Sequence, residues 1–245
     1  MKILLAPSET KTKGGEGSFD LDSLFLPQIN EVREKIFNEY KNILEKNDFL
    51  VLSKLFGLKK EKDIQQSLQE FFSQKTKEAI KRYSGVAFDY LDYSSLLPKE
   101  QEYINKNVLI FSNLFGVIKA DDLIPYYKLK QGEKVGSFEV DKIYQKALKE
   151  PLDSFLEDED ILDLRAKYYE RFYKPSKKYT TLKFLKNQKV VSHYAKAYRG
   201  LVLRHLAKNN ISSIKEFKSL KIDTLEIVEI IEKKSYNEIV YKIVK

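Results

Sequence analysis

Hydroxyl, carboxylate and lysine side chains crowd the ten residues that follow the first apolar run of the chain. Ser8, Thr10 and Lys11 are of the types that hold an anion, and Glu9 could act as an acid or base or neutralise Lys11. This is not the phosphate-binding loop of nucleotide hydrolases, because the glycine pair at 14–15 follows the lysine instead of preceding it. We predict an anion-binding loop here, and an ordinary surface loop is the alternative.

Two further stretches pair polar residues with the end of an apolar run. Residues 109–129 place Ser112 directly after such a run, and Asp122 further on could serve as a site carboxylate or cap a helix. Asp163 and Arg165 stand two apart at the end of another run. Residues two apart in a strand share a face, so this pair is either a structural ion pair or a clamp for a ligand.

The fourth stretch, residues 190–201, combines a hydroxyl, a histidine and two cations. If a strand continues through position 194, Ser192 and His193 point to opposite faces of the sheet, which argues against a serine hydrolase. Lys196 and Arg199 then stand at the start of a helix, whose free N–H groups favour an anion. We predict that Lys11, Arg165, Lys196 and Arg199 line one site although they are far apart in the sequence.

Positive charge is concentrated in one part of the chain. The protein has a net charge of +8, yet the window 165–208 alone carries nine lysines and four arginines against one glutamate. Nucleic acid is the partner that such a window favours. The alternatives are a lysine-rich composition without function and pairing of the arginines with the seven acids in 150–164. The DNA-contacting cations predicted in this window are Arg171, Lys177, Lys178, Lys196, Arg199 and Arg204.

Composition excludes several classes of protein. The 245 residues include no cysteine and two histidines, so disulfides, thiolate catalysis, zinc fingers and iron–sulfur clusters are excluded. We therefore predict neither a metal site nor a cofactor. The N-terminal apolar run is too short for a signal peptide, and no stretch approaches the length of a membrane span. We expect a soluble cytoplasmic protein that does not bind membranes.

Apolar periodicity predicts the elements that must position these residues. Short strands are expected at 2–6, 108–111 and 161–164, a hairpin at 179–185 and 189–194, and two C-terminal strands at 225–232 and 238–244. Helices are expected from about Pro27 to Lys46 and over 50–56, 63–83 and 197–208. Because strands and helices intermix without a linker, we predict one mixed α/β domain over 1–245 with a central mixed sheet and surrounding helices.

These stretches, in this order, resemble the YaaA family of peroxide stress proteins over nearly the whole chain. No single motif carries the resemblance, which rests on five in register. They are Ile3–Lys11 with Gly14–Gly15, Tyr83–Val86 with Tyr90, Leu114–Val117 with Asp122–Tyr126, Asp163–Arg165, and Val191–Lys196 with Arg199–Gly200.

The resemblance implies a cytoplasmic protein that limits damage by hydrogen peroxide and is associated with lower free iron. It also implies an α/β body with a basic cleft, DNA binding and a helix-hairpin-helix-like element, here within 50–83. Lys59 stands where a full hairpin has a second glycine, so Lys54, Lys59 and Lys60 are expected to contribute charge there. Two helices that only pack together are the alternative.

Three hypotheses of different classes follow. The first is a stress-protection protein that binds double-stranded or distorted DNA in a basic cleft without sequence specificity. The second is an enzyme acting on a small anionic or nucleotide ligand in a pocket at the strand ends, held by Ser8, Lys11, Ser112, Asp122, Arg165, Ser192, Lys196 and Arg199. The third is direct iron binding by carboxylates and tyrosines. Its candidate is the acidic run 157–160, which is more typical of a solvated loop.

Overall fold

The computed structural model of the chain describes residues 1–165, 168–186, 189–190 and 193–244. Its strands are β1 (Lys2–Leu5), β2 (Thr76–Glu78), β3 (Val108–Ser112), β4 (Gly116–Lys119), β5 (Leu123–Pro125), β6 (Ile161–Leu164), β7 (Tyr179–Lys186), β8 (Lys189–Val190), β9 (Leu225–Glu232) and β10 (Tyr236–Ile243). Its helices are α1 (Asn30–Lys46), α2 (Phe49–Phe56), α3 (Glu61–Phe72), α4 (Ala79–Arg82), α5 (Val86–Leu91), α6 (Pro98–Asn107), α7 (Val140–Phe155), α8 (His193–Lys208) and α9 (Ile214–Ser219).

Eight of the described strands form one mixed sheet. Its order is β4-β3-β1-β6-β7-β10-β9, with β8 paired to β7. Strands β1, β3, β6, β7 and β10 are parallel to one another, whereas β4, β8 and β9 are antiparallel to their neighbours. The carboxyl ends of the five parallel strands therefore point to one side, which we call the carboxyl edge, and their starts define the amino edge.

The central strands are buried on both faces, as their continuous apolar runs require. Every residue of β1, β3 and β6 is buried. Parallel strands covered by helices on both faces have this pattern. By contrast, β7 alternates between buried and partly exposed residues, because one of its faces is less covered. The core therefore surrounds β1 and its two neighbours, β3 and β6.

Local signals fix the first helices. Helix α1 buries Ile36, Tyr40 and Leu44, which recur every four residues and form one stripe. Asp48 begins α2 by accepting a hydrogen bond from Val51 N at 3.0 Å. Gly57 ends α2 with φ +67°, a left-handed conformation that suits glycine.

The mixed α/β fold predicted from the sequence is confirmed, and so are the C-terminal hairpin, β9–β10, and the helices near 30–46 and 49–56. The prediction of one continuous helix over 63–83 is wrong, because α3 ends at Phe72 and β2 separates it from α4. Gln74 takes φ +52°, and Thr76 then exchanges backbone hydrogen bonds with Glu16 while β2 pairs with β5. Pairing with distant segments overrides the local helical pattern.

The strand predicted over 189–194 is wrong at its last two residues, which belong to α8. Among the described residues Lys189 and Val190 pair with β7, and α8 has begun by His193, earlier than the predicted start at 197. The alternation on which the argument against a serine hydrolase rested is therefore not present at His193. Residues 109–129, expected to run from a strand into a loop, contain β4 and β5 as well.

No helix in the part of the chain that the structure describes is long and apolar enough to cross a lipid bilayer.

Candidate functional site

A cavity lies beside β1, where the order of the strands in the sheet reverses. Strand β3 is added on one side of β1, and β6 and β7 are added later on the other side. In sheets with parallel strands, ligands bind outside the carboxyl ends at such a switch point. A cavity of about 610 Å³ is found there, lined by Leu5 and Leu164, which are the last residues of β1 and β6. We call it the switch-point cavity.

The loop after β1 forms one wall of this cavity. Thr10 Oγ1 donates to the Ser84 carbonyl at 2.7 Å and lies 3.0 Å from Ser8 Oγ, which also accepts from Thr10 N at 3.2 Å. Gly85 has φ +105°, and a Cβ there would lie 2.9 Å from Thr10 Oγ1. The wall therefore requires glycine at position 85 for both conformation and space.

Lys11 supports this wall from beneath. Its Nζ donates to the Ser8 carbonyl at 3.1 Å and lies 4.0 Å from the ring centroid of Tyr127 and 5.2 Å from that of Tyr83. No carboxylate of the described residues comes within ion-pair distance of Lys11. Burial, followed by the nearby charge of Lys128, holds the pKa of Lys11 well below its usual value.

Ser112 belongs to the core behind the cavity. Its buried hydroxyl accepts from Leu114 N and Phe115 N and lies 2.9 Å from Tyr127 Oη, which is in turn 2.8 Å from Tyr83 Oη. Burial raises the pKa of Tyr83 to about 12, so this network stays protonated at neutral pH. Ser112 therefore shapes the β3–β4 turn and touches Lys11 only through the tyrosines.

Asp163 and Arg165 form a buried ion pair at the end of β6. Arg165 Nε and Nη2 donate to the two carboxylate oxygens at 2.9 and 2.7 Å, and both side chains are at most 3% exposed. The guanidinium carbon also lies 4.3 Å from the ring centroid of Phe111. Of the two alternatives left open by the sequence, this geometry is that of a structural pair.

Lys196 and Arg199 form the cationic side of the switch-point cavity. They lie three residues apart on one face of α8, and both line this cavity and a second one of about 810 Å³ beside it. Neither takes part in an ion pair with another described residue. Burial lowers the pKa of Arg199, although Asp163 and Glu170 act against this shift.

The structure does not bring the remaining members of the predicted site to this cavity. Asp122 caps the β4–β5 turn, where it accepts from Phe25 N and Lys119 N at 2.9 Å each. That turn lies at the amino edge, because Lys119 pairs with Leu109 near the start of β3. Ser192 lies outside the described residues.

Several of the predicted DNA-contacting cations surround the carboxyl edge. Lys54, Lys59 and Lys60 are exposed on and after α2, whose end is joined to the loop 128–133 by a hydrogen bond from Lys130 N to Leu55 O. Gln131 of that loop lines the switch-point cavity. Arg171, with 67% of its side chain exposed, stacks on Tyr168 beside the same loop.

Three others lie elsewhere. Lys177 donates to the Glu157 carbonyl and Lys178 approaches Glu232 at 3.8 Å, which places both near the amino edge. The Arg204 guanidinium donates to the Leu91 and Asp92 carbonyls and to Ser95 Oγ, so it caps the end of α5.

Two arginines that the sequence did not single out hold the site together. Arg82 is fully buried and donates to the carbonyls of Thr12, Gly14 and Lys75, which ties the end of the β1 loop to the body of the protein. Arg33 is also fully buried and donates to the carbonyls of Phe25, Phe115 and Val117, which joins the segment before α1 to the β3–β4 hairpin. Burial lowers the pKa of each to about 10. Both arginines lie outside the basic window 165–208 in the sequence, and this position indicates a role other than contact with a polyanion.

Known proteins resemble this chain along almost all of its length. The sequence model for peroxide stress protein YaaA matches residues 1–230. An uncharacterized protein of Campylobacter jejuni is 42% identical over 99% of each chain. A UPF0246 protein of Corynebacterium efficiens is 36% identical over 84% of this chain and 85% of its own, and one of Streptomyces coelicolor is 30% identical over 84% and 82%. This chain therefore belongs to the peroxide stress protein YaaA family.

Proposed function

We propose that this protein acts in the peroxide stress response by binding the phosphates of DNA across the carboxyl edge, without sequence preference. The observation that carries the proposal is that cations from three separate elements flank this edge. Lys54 on α2, Arg171 before β7 and Lys196 on α8 all project around the loop 128–133 and the switch-point cavity. A polyanion that follows this edge meets all three.

The packing of α8 supports contacts to phosphate over reading of bases. Val202, Leu203 and Leu206 of this helix are completely buried, and Gly200 lies against the backbone of Ala87 on α5. A helix held in this way cannot enter a major groove, so only its first two turns are free to touch DNA. Contacts of that kind position a duplex but carry no sequence information.

The turn between α2 and α3 is the second contact that we propose. Its residues 57–60 present Lys59 and Lys60 to solvent beside Lys54. Lys54 is 77% exposed, and its one ion pair among the described residues, with Glu133, is 3.9 Å long. A weak surface pair of this kind exchanges readily for a phosphate. We propose that charge on this turn replaces the second glycine of a complete hairpin.

We further propose that the protein keeps free iron low during peroxide stress. This part rests on the resemblance to the family, since no group of three histidine, aspartate or glutamate side chains is placed to hold a metal ion among the residues described. Free iron in peroxide-treated cells that lack the protein should exceed that of complemented cells. Equal iron in the two strains would refute this part alone.

Salt dependence of DNA binding tests the central proposal. Fluorescence anisotropy with two unrelated duplexes should give similar affinities that fall steeply with salt. The logarithm of the binding constant should fall against the logarithm of the salt concentration with a slope of about −0.9 for each phosphate neutralised. Replacing Lys196 and Arg199 by alanine should weaken binding at least about tenfold and reduce the slope by about 2.

The pair Lys177 and Lys178 provides the matched control. Replacing both by alanine removes the same charge from the amino edge and should change affinity by less than about twofold, because exposed cations far from the DNA are screened. Equal losses in the two double variants, or a strong preference for one duplex, would contradict the proposed surface.

A further inference from the structure

The switch-point cavity has the dimensions of a site for a small molecule. Its volume of about 610 Å³ lies within the range of about 300–1,000 Å³ that is usual for ligand pockets. A DNA duplex lying across the carboxyl edge would cover its mouth but could not fill it. The cavity therefore offers a binding volume that contact with a DNA backbone does not use.

One side of the cavity is cationic, and neither of its two cations forms an ion pair with another described residue. Lys196 and Arg199 both line it. Asp163 accepts two hydrogen bonds from the guanidinium of Arg165, and Glu170 lines the adjoining cavity. Two like charges on one helical face repel each other unless an anion lies between them. A phosphate is the anion whose shape matches a guanidinium beside an ammonium.

The opposite wall accepts hydrogen bonds. Because Thr10 Oγ1 donates its proton to the Ser84 carbonyl, the hydroxyl of Ser8 must donate to Thr10 Oγ1. Ser8 Oγ accepts from Thr10 N and keeps one lone pair for a further donor. The carboxylate of Glu9, which accepts from Gln131 N with one oxygen, adds acceptor capacity beside it.

Apolar side chains line the space between the two walls. Pro7, Val86, Leu164 and Tyr169 contribute to it, and they suit a flat or apolar middle part of a ligand. A matching ligand carries an anion at one end, donors such as hydroxyl groups at the other and a ring. A nucleoside monophosphate has this arrangement.

We propose that the switch-point cavity binds a nucleoside monophosphate, with its phosphate between Lys196 and Arg199 and its sugar hydroxyls on Ser8 and Glu9. This site overlaps the proposed contact with DNA at Lys196 and Arg199, whereas Ser8 and Glu9 belong to the cavity alone.

Calorimetric titration of the whole protein tests this site, with adenosine monophosphate, adenosine and inorganic phosphate as probes. The monophosphate should bind at least about tenfold more tightly than either fragment, because each fragment reaches one wall only. Absence of measurable binding, or equal affinity for phosphate alone, would overturn the proposal.

A substitution that fills the cavity distinguishes binding of the monophosphate from binding of DNA. Ala6 is half-buried and lines the cavity, so Ala6→Leu should reduce affinity for the monophosphate at least about tenfold while affinity for DNA stays unchanged. The control is Ala147→Leu, at an equally half-buried alanine on α7 that is not among the lining residues. Normal binding of the monophosphate to Ala6→Leu would overturn the proposal.

Glu9→Gln keeps the inference testable if Ala6→Leu does not fold. Glu9 is exposed, so its substitution leaves the core intact. The substitution should weaken binding of the monophosphate more than binding of inorganic phosphate, because only the monophosphate reaches the wall formed by Ser8 and Glu9. An equal effect on both probes would refute the proposed orientation. If the unsubstituted protein binds the monophosphate but does not bind DNA, the proposed function is refuted and this site is not.

Discussion

The guanidinium of Arg165 donates two hydrogen bonds to Asp163, at 2.7 and 2.9 Å, and these engage both oxygens of the carboxylate. Arg199, on the facing helix, consequently has no ion-pair partner among the described residues and turns toward two cavities. The buried pair closes the end of β6, and we propose that the second arginine binds an anion from outside. The two arginines of this site therefore have different tasks.

Breaking the buried pair should destabilise the protein strongly. Asp163→Asn leaves the guanidinium of Arg165 charged and without its carboxylate, which costs about 3–5 kcal/mol in comparable pairs. Urea denaturation at neutral pH measures this loss. The exposed pair of Lys35 and Glu31 is the control, because Lys35→Ala should leave the free energy of unfolding nearly unchanged.

Arg199→Ala should leave the fold intact. Because Arg199 is half-buried and forms no ion pair with another described residue, its removal should change the free energy of unfolding by less than about 1 kcal/mol. DNA affinity of the same variant should fall. Thermal melting and fluorescence anisotropy on one sample measure both effects. A large drop in melting temperature with unchanged DNA affinity would show that the partner of Arg199 lies within the protein.

Gly200→Ala should destabilise the protein, against the usual preference of helices for alanine. A Cβ at this position would lie 2.0 Å from the carbonyl oxygen of Ala87, so α5 and α8 would have to separate. We expect a loss of about 1–3 kcal/mol in place of the gain of about 1 kcal/mol that the substitution gives in an open helix. Lys208→Ala, at an exposed position of α8, is the control and should not destabilise.

Lys11 should make stability rise with pH. Its pKa is lowered in the folded protein, so the unfolded chain holds the proton more tightly between the folded value and about 10.5. Burial of the charge costs stability below that window, and the cost disappears as pH rises through it. Unfolding free energies of the wild type and Lys11→Met, compared from pH 7 to 9.5, should differ in slope. Parallel curves would show that Lys11 titrates normally.

Much of the fold was predictable because its signals are local. Apolar runs such as Ile3–Leu5 and Val108–Phe111 can form little other than buried strands, and Asp48 with Gly57 marks the limits of α2. The stripe of Ile36, Tyr40 and Leu44 predicts α1 in the same way. These elements depend on neighbours within a few residues, so the sequence alone determines them.

Tertiary structure alone decided which polar residues meet. The segment 63–83 has a helical pattern, yet β2 forms within it because β5 and Glu16 supply backbone partners from distant parts of the chain. For the same reason Asp122 and Ser8 end at opposite edges of the sheet, although each follows a strand. The sequence by itself determined the family, the class of fold and the concentration of charge. The tertiary structure decided that Arg165 is buried and paired while Arg199 faces a cavity, since burial and pairing depend on contacts between elements remote in sequence.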